Sequence, residues 1–102
     1  MTDWAQVRET AISAAKQRLG NAWDRVSGVA VAQISGLVAV AQYIESQKDA
    51  LSVENYQHLM KLQQTALEGA LAGIEIISIT SAQNTANDVM KIIIKSLPGL
   101  KL

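Results

Sequence analysis

The sequence predicts an all-α protein built as a long antiparallel helical hairpin, and three observations carry that prediction. Val26–Ile44, VSGVAVAQISGLVAVAQYI, holds no charge over nineteen positions, although Ser27, Gly28, Gln33, Ser35, Gly36 and Gln42 interrupt it. A second apolar segment, Ala66–Ile79, has Gly69 and Gly73 four apart and only Glu68 and Glu75 charged. Helix-capping residues bracket both segments at separations too long for strands. The rival is an α+β fold with a short β-hairpin at Ser35-Gly36, because Val29-Ala-Val-Ala and Ile74-Glu-Ile-Ile-Ser-Ile alternate and β-branched residues favour strands. Alanine fills most of the alternate positions, which favours the helical reading.

The first helix is expected over residues 3–19. Thr2 or Asp3 can cap it, Trp4, Val7, Ala11, Ala14/Ala15 and Leu19 recur at helical spacing, and Lys16 and Arg18 complement the dipole in the last turn. Gly20 suits the position after a helix end, and Asn21 followed by Asp24 resembles a new N-cap, so a break or kink is expected there. The second helix would run from Ala22 to Gln47. Lys48-Asp49-Ala50-Leu51 forms a polar connection, and Ser52 caps a third element beginning at Val53.

From there Tyr56, Met60, Leu67, Leu71, Ile74, Ala82, Val89 and Ile93 trace one stripe. Met60, Leu71, Ala82 and Ile93 are eleven apart, which suits a nearly straight helix. Glu54, Lys61, Glu68 and Glu75, seven apart, mark the opposite, wet face. Ser81–Asp88, SAQNTAND, is poor helix material, so a second kink is expected at Ser81–Thr85, with Thr85 and Asp88 as an internal cap. The last helix would end at Ser96, before Pro98-Gly99.

With the hairpin centre between Ala50 and Leu51, residues i and 101−i face each other. Gly28 then meets Gly73, Ala32 meets Gly69, and Gly36 meets Thr65. These five small residues, Gly28, Ala32, Gly36, Gly69 and Gly73, are therefore the expected helix-packing contacts. A glycine inside a helix costs roughly 0.5–1 kcal/mol relative to alanine, and close backbone approach is the usual compensation. The middle of the third element is apolar on more than one face, which a lone hairpin cannot cover. Dimerisation into a four-helix bundle would do so, with Ile76, Ile79, Val38 and Leu71 at the oligomer interface.

Composition narrows the function. The 102 residues fit one domain, 1–102, with no Phe, no Cys and nine acids balancing nine Lys and Arg. Without a basic excess, nucleic acid is not an expected partner. Without cysteine there is no disulfide, thiolate metal site or thiol nucleophile. His58, four after Glu54, offers two ligands, too few for a metal site. The glycines lie inside apolar segments rather than after a strand, so they form no phosphate loop, and one histidine supports no catalytic triad. No enzymatic activity and no cofactor are expected. The first twenty residues carry acids and bases in every turn, unlike a Sec signal, so a cytoplasmic location is favoured.

In size, and as a hairpin, the chain is similar to small secreted hairpin proteins with a Trp-x-Gly turn. It departs from them at that motif: the turn reads Gln47-Lys48-Asp49-Ala50-Leu51-Ser52, and Trp23 is followed by Asp24-Arg25. No residue role carries over.

The resulting expectation is a non-enzymatic, self-associating helical protein acting as a structural or adaptor component, with itself, or another protein, as partner. The alternative is a membrane-active hairpin, pore-forming or holin-like, that inserts its small-residue-rich segments. Glu68 and Glu75 oppose insertion at neutral pH. The cationic, aliphatic tail from Met90 to Leu102 suits an acidic membrane surface or a partner's groove.

Overall fold

The chain reverses direction three times and lays four helices side by side. A computed structural model describes residues 2–47, 50 and 52–97, with the backbone alone at Val53. The helices are α1 (Trp4–Leu19), α2 (Trp23–Ser46), α3 (Val53–Ala72) and α4 (Ile79–Lys95), with a 3-10 turn at Gly20–Ala22 between the first two. No strand is present among the described residues, so Ser35-Gly36 lies inside α2 rather than at a hairpin turn. Lys48, Asp49, Leu51 and the stretch from Pro98 to Leu102, with its expected helix stop and the end of the cationic tail, fall outside the described residues.

The helices pack around a square, α1 against α2 and α4, and α3 against α2 and α4. Long-range hydrogen bonds fix the antiparallel directions. Arg8 Nε donates to Ser35 Oγ at 2.9 Å and Trp4 Nε1 donates to Glu45 Oε1 at 3.0 Å, holding α1 along α2. The Thr2 hydroxyl also donates to the Glu45 carboxylate, so this acid gathers the start of α1 at the end of α2. Arg18 joins α1 to α4 through Asp88, and Gln64 Nε2 joins α3 to α4 through Asn87 Oδ1 at 2.9 Å.

Local sequence explains most boundaries. Asp3 accepts from the Gln6 amide at 3.1 Å, and Ser52 accepts from the Asn55 amide at 3.1 Å, each satisfying an orphan donor of a first turn. Gly20 closes α1 with φ 56° and ψ −122°, and its amide donates to the Lys16 carbonyl. That backbone state is nearly restricted to glycine, and here it turns the chain back on itself. Asn21 is part of the 3-10 turn, and α2 starts without a side-chain cap.

Two sequence expectations are corrected. The expected long hairpin, with kinks near Gly20 and Ser81–Thr85, is instead four shorter helices, because α3 stops at Ala72 and Gly73–Ser78 forms a turn. Nor does a kink occur at Ser81–Thr85, which is uninterrupted helix in α4. Ser78 is the N-cap, accepting from the Ser81 amide at 3.0 Å. Thr85 caps nothing; fully buried, it donates its hydroxyl to the Ser81 carbonyl at 2.7 Å, one turn back.

The core takes the bulky stripe of each helix: Ala11, Ala15 and Leu19 from α1; Val26, Ala30, Ile34, Leu37, Ala41 and Ile44 from α2; Met60, Leu67 and Leu71 from α3; Ala82, Ala86, Val89 and Ile93 from α4. Met60, Leu71, Ala82 and Ile93, eleven apart in sequence, are all buried even though a turn separates them into two helices. Full burial of one Leu or Ile contributes about 1.5–3 kcal/mol, which sets the order of importance among the contacts.

Candidate functional site

The outer faces of α2 and α3 differ in character from the rest of the surface. Large hydrophobic side chains exposed among the described residues are Val29 and Tyr43 on α2, Leu62 on α3, Ile76 in the following turn, and Ile79 at the first position of α4. Gly28, Ala32, Gly36 and Ala39 lie beside Val29 and Tyr43, all exposed. They share one face of α2, since spacings of three and four residues return to the same side. Between Arg25 and Glu45 that face carries no charge.

The five expected packing residues are thus placed outward. A methyl group added at Gly28, Gly36 or Gly69 would meet no neighbouring heavy atom within 4 Å. At Gly73 it would meet only the Gly69 and Ala70 carbonyls, at 3.4 and 3.8 Å, from the end of its own helix. Ala32 is exposed as well. Within one chain, then, Gly28, Ala32, Gly36, Gly69 and Gly73 do not join α2 to α3. The reason is energetic. Turning the aliphatic stripe inward removes far more apolar area from water than backbone contacts worth about 0.5–1 kcal/mol each would return.

The four expected interface residues divide. Ile76 and Ile79 are 47% and 68% exposed and open to a partner, whereas Val38 and Leu71, at 5% and 0%, belong to the interior. Val38 adjoins the α2 core stripe and Leu71 ends that of α3, so neither has surface to offer. The buried positions of α2, 26, 30, 34, 37, 41 and 44, recur at three and four residues, the helical spacing of one inward face.

The polar features are modest. Glu54, Gln57, His58, Lys61 and Gln64 line a shallow depression of about 470 Å³, and all come from α3. No group of three His, Asp or Glu among the described residues is arranged to hold a metal ion. Glu75 is exposed, and Glu68 is half-buried, accepting from Gln64 Nε2 at 3.3 Å. Between α3 and α4 runs a more apolar groove of about 300 Å³, lined by Thr65, Glu68, Gly69, Ala72, Ile79, Ala82 and Gln83.

Arg18 Nε and Nη2 contact Asp88 Oδ2 and Oδ1 at 2.7 and 3.2 Å, a two-point ion pair between α1 and α4. The hydrogen bonds from Arg18 hold the Asp88 carboxyl below its ordinary range, with the Arg18 and Lys91 charges adding to the effect against partial desolvation. A carboxylate with a lowered folded-state pKa contributes stability above its unfolded value, about pH 4, and loses it as pH falls through the folded value. The stability difference between wild type and Asp88→Asn should therefore be constant near neutrality and shrink below about pH 4. Urea titrations at several pH values check this, and a difference that grows on acidification would reverse the assignment. Both side chains are solvent-accessible, so the effect is small and falls with added salt.

The segment Trp4–Ser46 contains an eighteen-residue window of mean hydropathy 1.5, of which 33% is buried. By length and composition it could cross a membrane. Comparison with protein-family models, curated proteins and solved structures finds no match.

Proposed function

We propose that this chain is a non-enzymatic, self-associating helical protein that serves as a structural or adaptor component, with a second copy of itself as first partner. One observation supports the reading above others. The large exposed hydrophobics, Val29, Tyr43, Leu62, Ile76 and Ile79, fall on α2, on α3, in the turn that follows and at the first residue of α4, and none of them is on α1. Single exposed hydrophobics need no explanation, but a charge-free stretch of α2 from Val26 to Ile44 that turns Val29 and Tyr43 outward does. The exposed glycines add to this. Each weakens its helix, and no contact within the chain offsets the loss.

Because four helices already come from one chain, association pairs two bundles. The two-chain four-helix bundle expected from the sequence becomes a further form of the same association, reached if the reversals at Gly20 and Gly73–Ser78 open. Light scattering across a concentration range, without detergent and then with acidic liposomes, tests the proposal. A discrete oligomer that ignores the liposomes is expected. Ile76→Asp should lower the associated fraction and leave helical content unchanged, since Ile76 lies in a turn and is half exposed. A strictly monomeric wild type would overturn the reading.

A membrane-active role is the second reading, favoured by the largely unburied apolar window of Trp4–Ser46. Loss of monomer to the liposome pellet is its expected result. Glu68, partly withdrawn from solvent beside the α3–α4 groove, weighs against it, because a carboxylate is expensive to carry into a bilayer.

A further inference from the structure

The outer face of α3 is complementary to itself when a second α3 runs antiparallel across it. Leu62 is 51% exposed and stands seven residues before Gly69, above which space is open. Seven residues is two turns, so the projecting side chain and the recess share one face about 10 Å apart. His58 and Gly73, both exposed, continue the same face at either end. Inverting the helix about a point between Thr65 and Ala66 sets Leu62 opposite Gly69 and His58 opposite Gly73. Each projecting residue then meets a glycine, and Thr65 and Ala66 meet each other at the centre.

The charges agree with that register. Lys61 and Glu68 are also seven apart, so they share one flank of α3, and Glu68 lines the groove against α4. Inversion about a point between Gln64 and Thr65 would set Lys61 directly opposite Glu68; in the register chosen by Leu62 and Gly69 the two are offset by two residues, about 3 Å at 1.5 Å per residue, well within the reach of a lysine side chain. Among the described residues the ion pairs are Arg8–Glu9 and Arg18–Asp88, and neither Lys61 nor Glu68 belongs to one. Glu54 and Glu75 fall at the two ends of the contact. Glu75 lies past the end of α3, where helical register no longer fixes its position.

We infer that two copies of this chain dock through α3 in antiparallel fashion about a two-fold axis between Thr65 and Ala66, with Leu62 of each copy seated over Gly69 of the other and Lys61 paired with Glu68 across the interface. This rests on the self-association reading above and specifies its surface. A two-fold makes every contact twice, so four matched positions become eight. The groove between α3 and α4, lined by Thr65, Gly69 and Ala72 with Ile79 at its rim, deepens the recess that receives Leu62. Charge complementarity selects a second copy over a lipid surface, which would match Lys61 and leave Glu68 opposed.

The chain contains no cysteine, so one introduced thiol reports on one position. Thr65→Cys should form a disulfide-linked dimer on mild oxidation, because helices in contact lie about 8–10 Å apart and a residue beside the axis lies next to its own copy. Ala39→Cys, on the outer face of α2, should not. By sedimentation, Lys61→Glu and Glu68→Lys should each weaken dimerisation roughly tenfold, and the double exchange should restore it. Gly69→Leu should abolish it with helical content unchanged, since the position is exposed and an added Cβ there meets nothing within 4 Å.

The outcomes separate the two levels of the argument. A wild type that dimerises, with Lys61→Glu and Gly69→Leu unaffected and Ala39→Cys crosslinking more readily than Thr65→Cys, would overturn the α3 interface and leave self-association standing. A wild type that stays monomeric at all accessible concentrations would overturn both.

Discussion

Gly20→Ala is expected to destabilise the fold by about 1–3 kcal/mol, the usual cost of holding a non-glycine residue in a sparsely populated backbone region. Gly20 has φ 56° and ψ −122°, and an added methyl group there would meet nothing within 4 Å. The loss is therefore one of backbone conformation, with no steric contribution from neighbours. Part of it is offset because alanine restricts the unfolded chain, by about 0.4–1 kcal/mol. In a chain of this size, 1 kcal/mol moves the melting midpoint by roughly 4–8 °C. The sharper expectation concerns shape. Alanine is the best helix former, and a helical residue 20 would join α1 to α2 as a rod from Trp4 to Ser46. Ala11, Ala15 and Leu19, now buried, would then lose their cover and need a second chain to supply it. Gly20→Ala should thus populate an exchanged dimer in which α1 packs on another copy. A D-alanine at position 20, for which these angles mirror the extended region open to L-residues, should retain wild-type stability and mass. If the L-alanine variant melts as wild type does, the reversal does not depend on glycine.

Much of the fold was legible because it is written in local chemistry. Asp3 and Ser52 cap as their types predict, Gly20 ends α1, and Met60, Leu67, Leu71, Ala82, Val89 and Ile93 of the long stripe are buried, with Ile74 half-buried. What could not be read correctly is where tertiary packing overrides propensity. Ser81–Asp88 is rich in residues that compete with helical hydrogen bonding, yet it is helical, because Ala82, Thr85, Ala86 and Val89 present one buried face to the core. The true break, Gly73–Ser78, hides inside an apolar β-branched run that reads as continuous interior. Its signals were present: a glycine at one end and a serine three residues before Ser81 at the other. The glycines of the candidate site were misplaced for a related reason. Small residues at intervals of four mark one helical face, but spacing alone does not say whether that face looks toward the chain's own core or toward another molecule. The answer lies in the opposite face, where Val26, Ile34, Leu37 and Ile44 offer more apolar area to bury.

Leu71→Ala distinguishes these two directions most directly. Leu71 is fully buried at the end of the α3 stripe, and truncation there removes apolar contacts and leaves a cavity that the surrounding helices fill only in part. Such changes cost about 2–5 kcal/mol, the spread reflecting how far the site collapses. At roughly 4–8 °C per kcal/mol, a fall of ten degrees or more in the melting midpoint is expected. An interior residue and an interface residue differ in how that loss depends on concentration. Stability borrowed from a second copy rises with protein concentration by mass action, whereas a core defect gives the same loss at every concentration. Leu71→Ala should therefore lower the midpoint by a constant amount across a hundredfold dilution, while the dimer dissociation constant of the remaining folded protein changes little. Ile79→Ala, at a 68% exposed position, should show the opposite pattern, with stability near that of wild type and any effect confined to association. A Leu71→Ala loss that disappears on dilution would return this residue to the subunit interface, and with it the two-chain bundle that the sequence alone suggests.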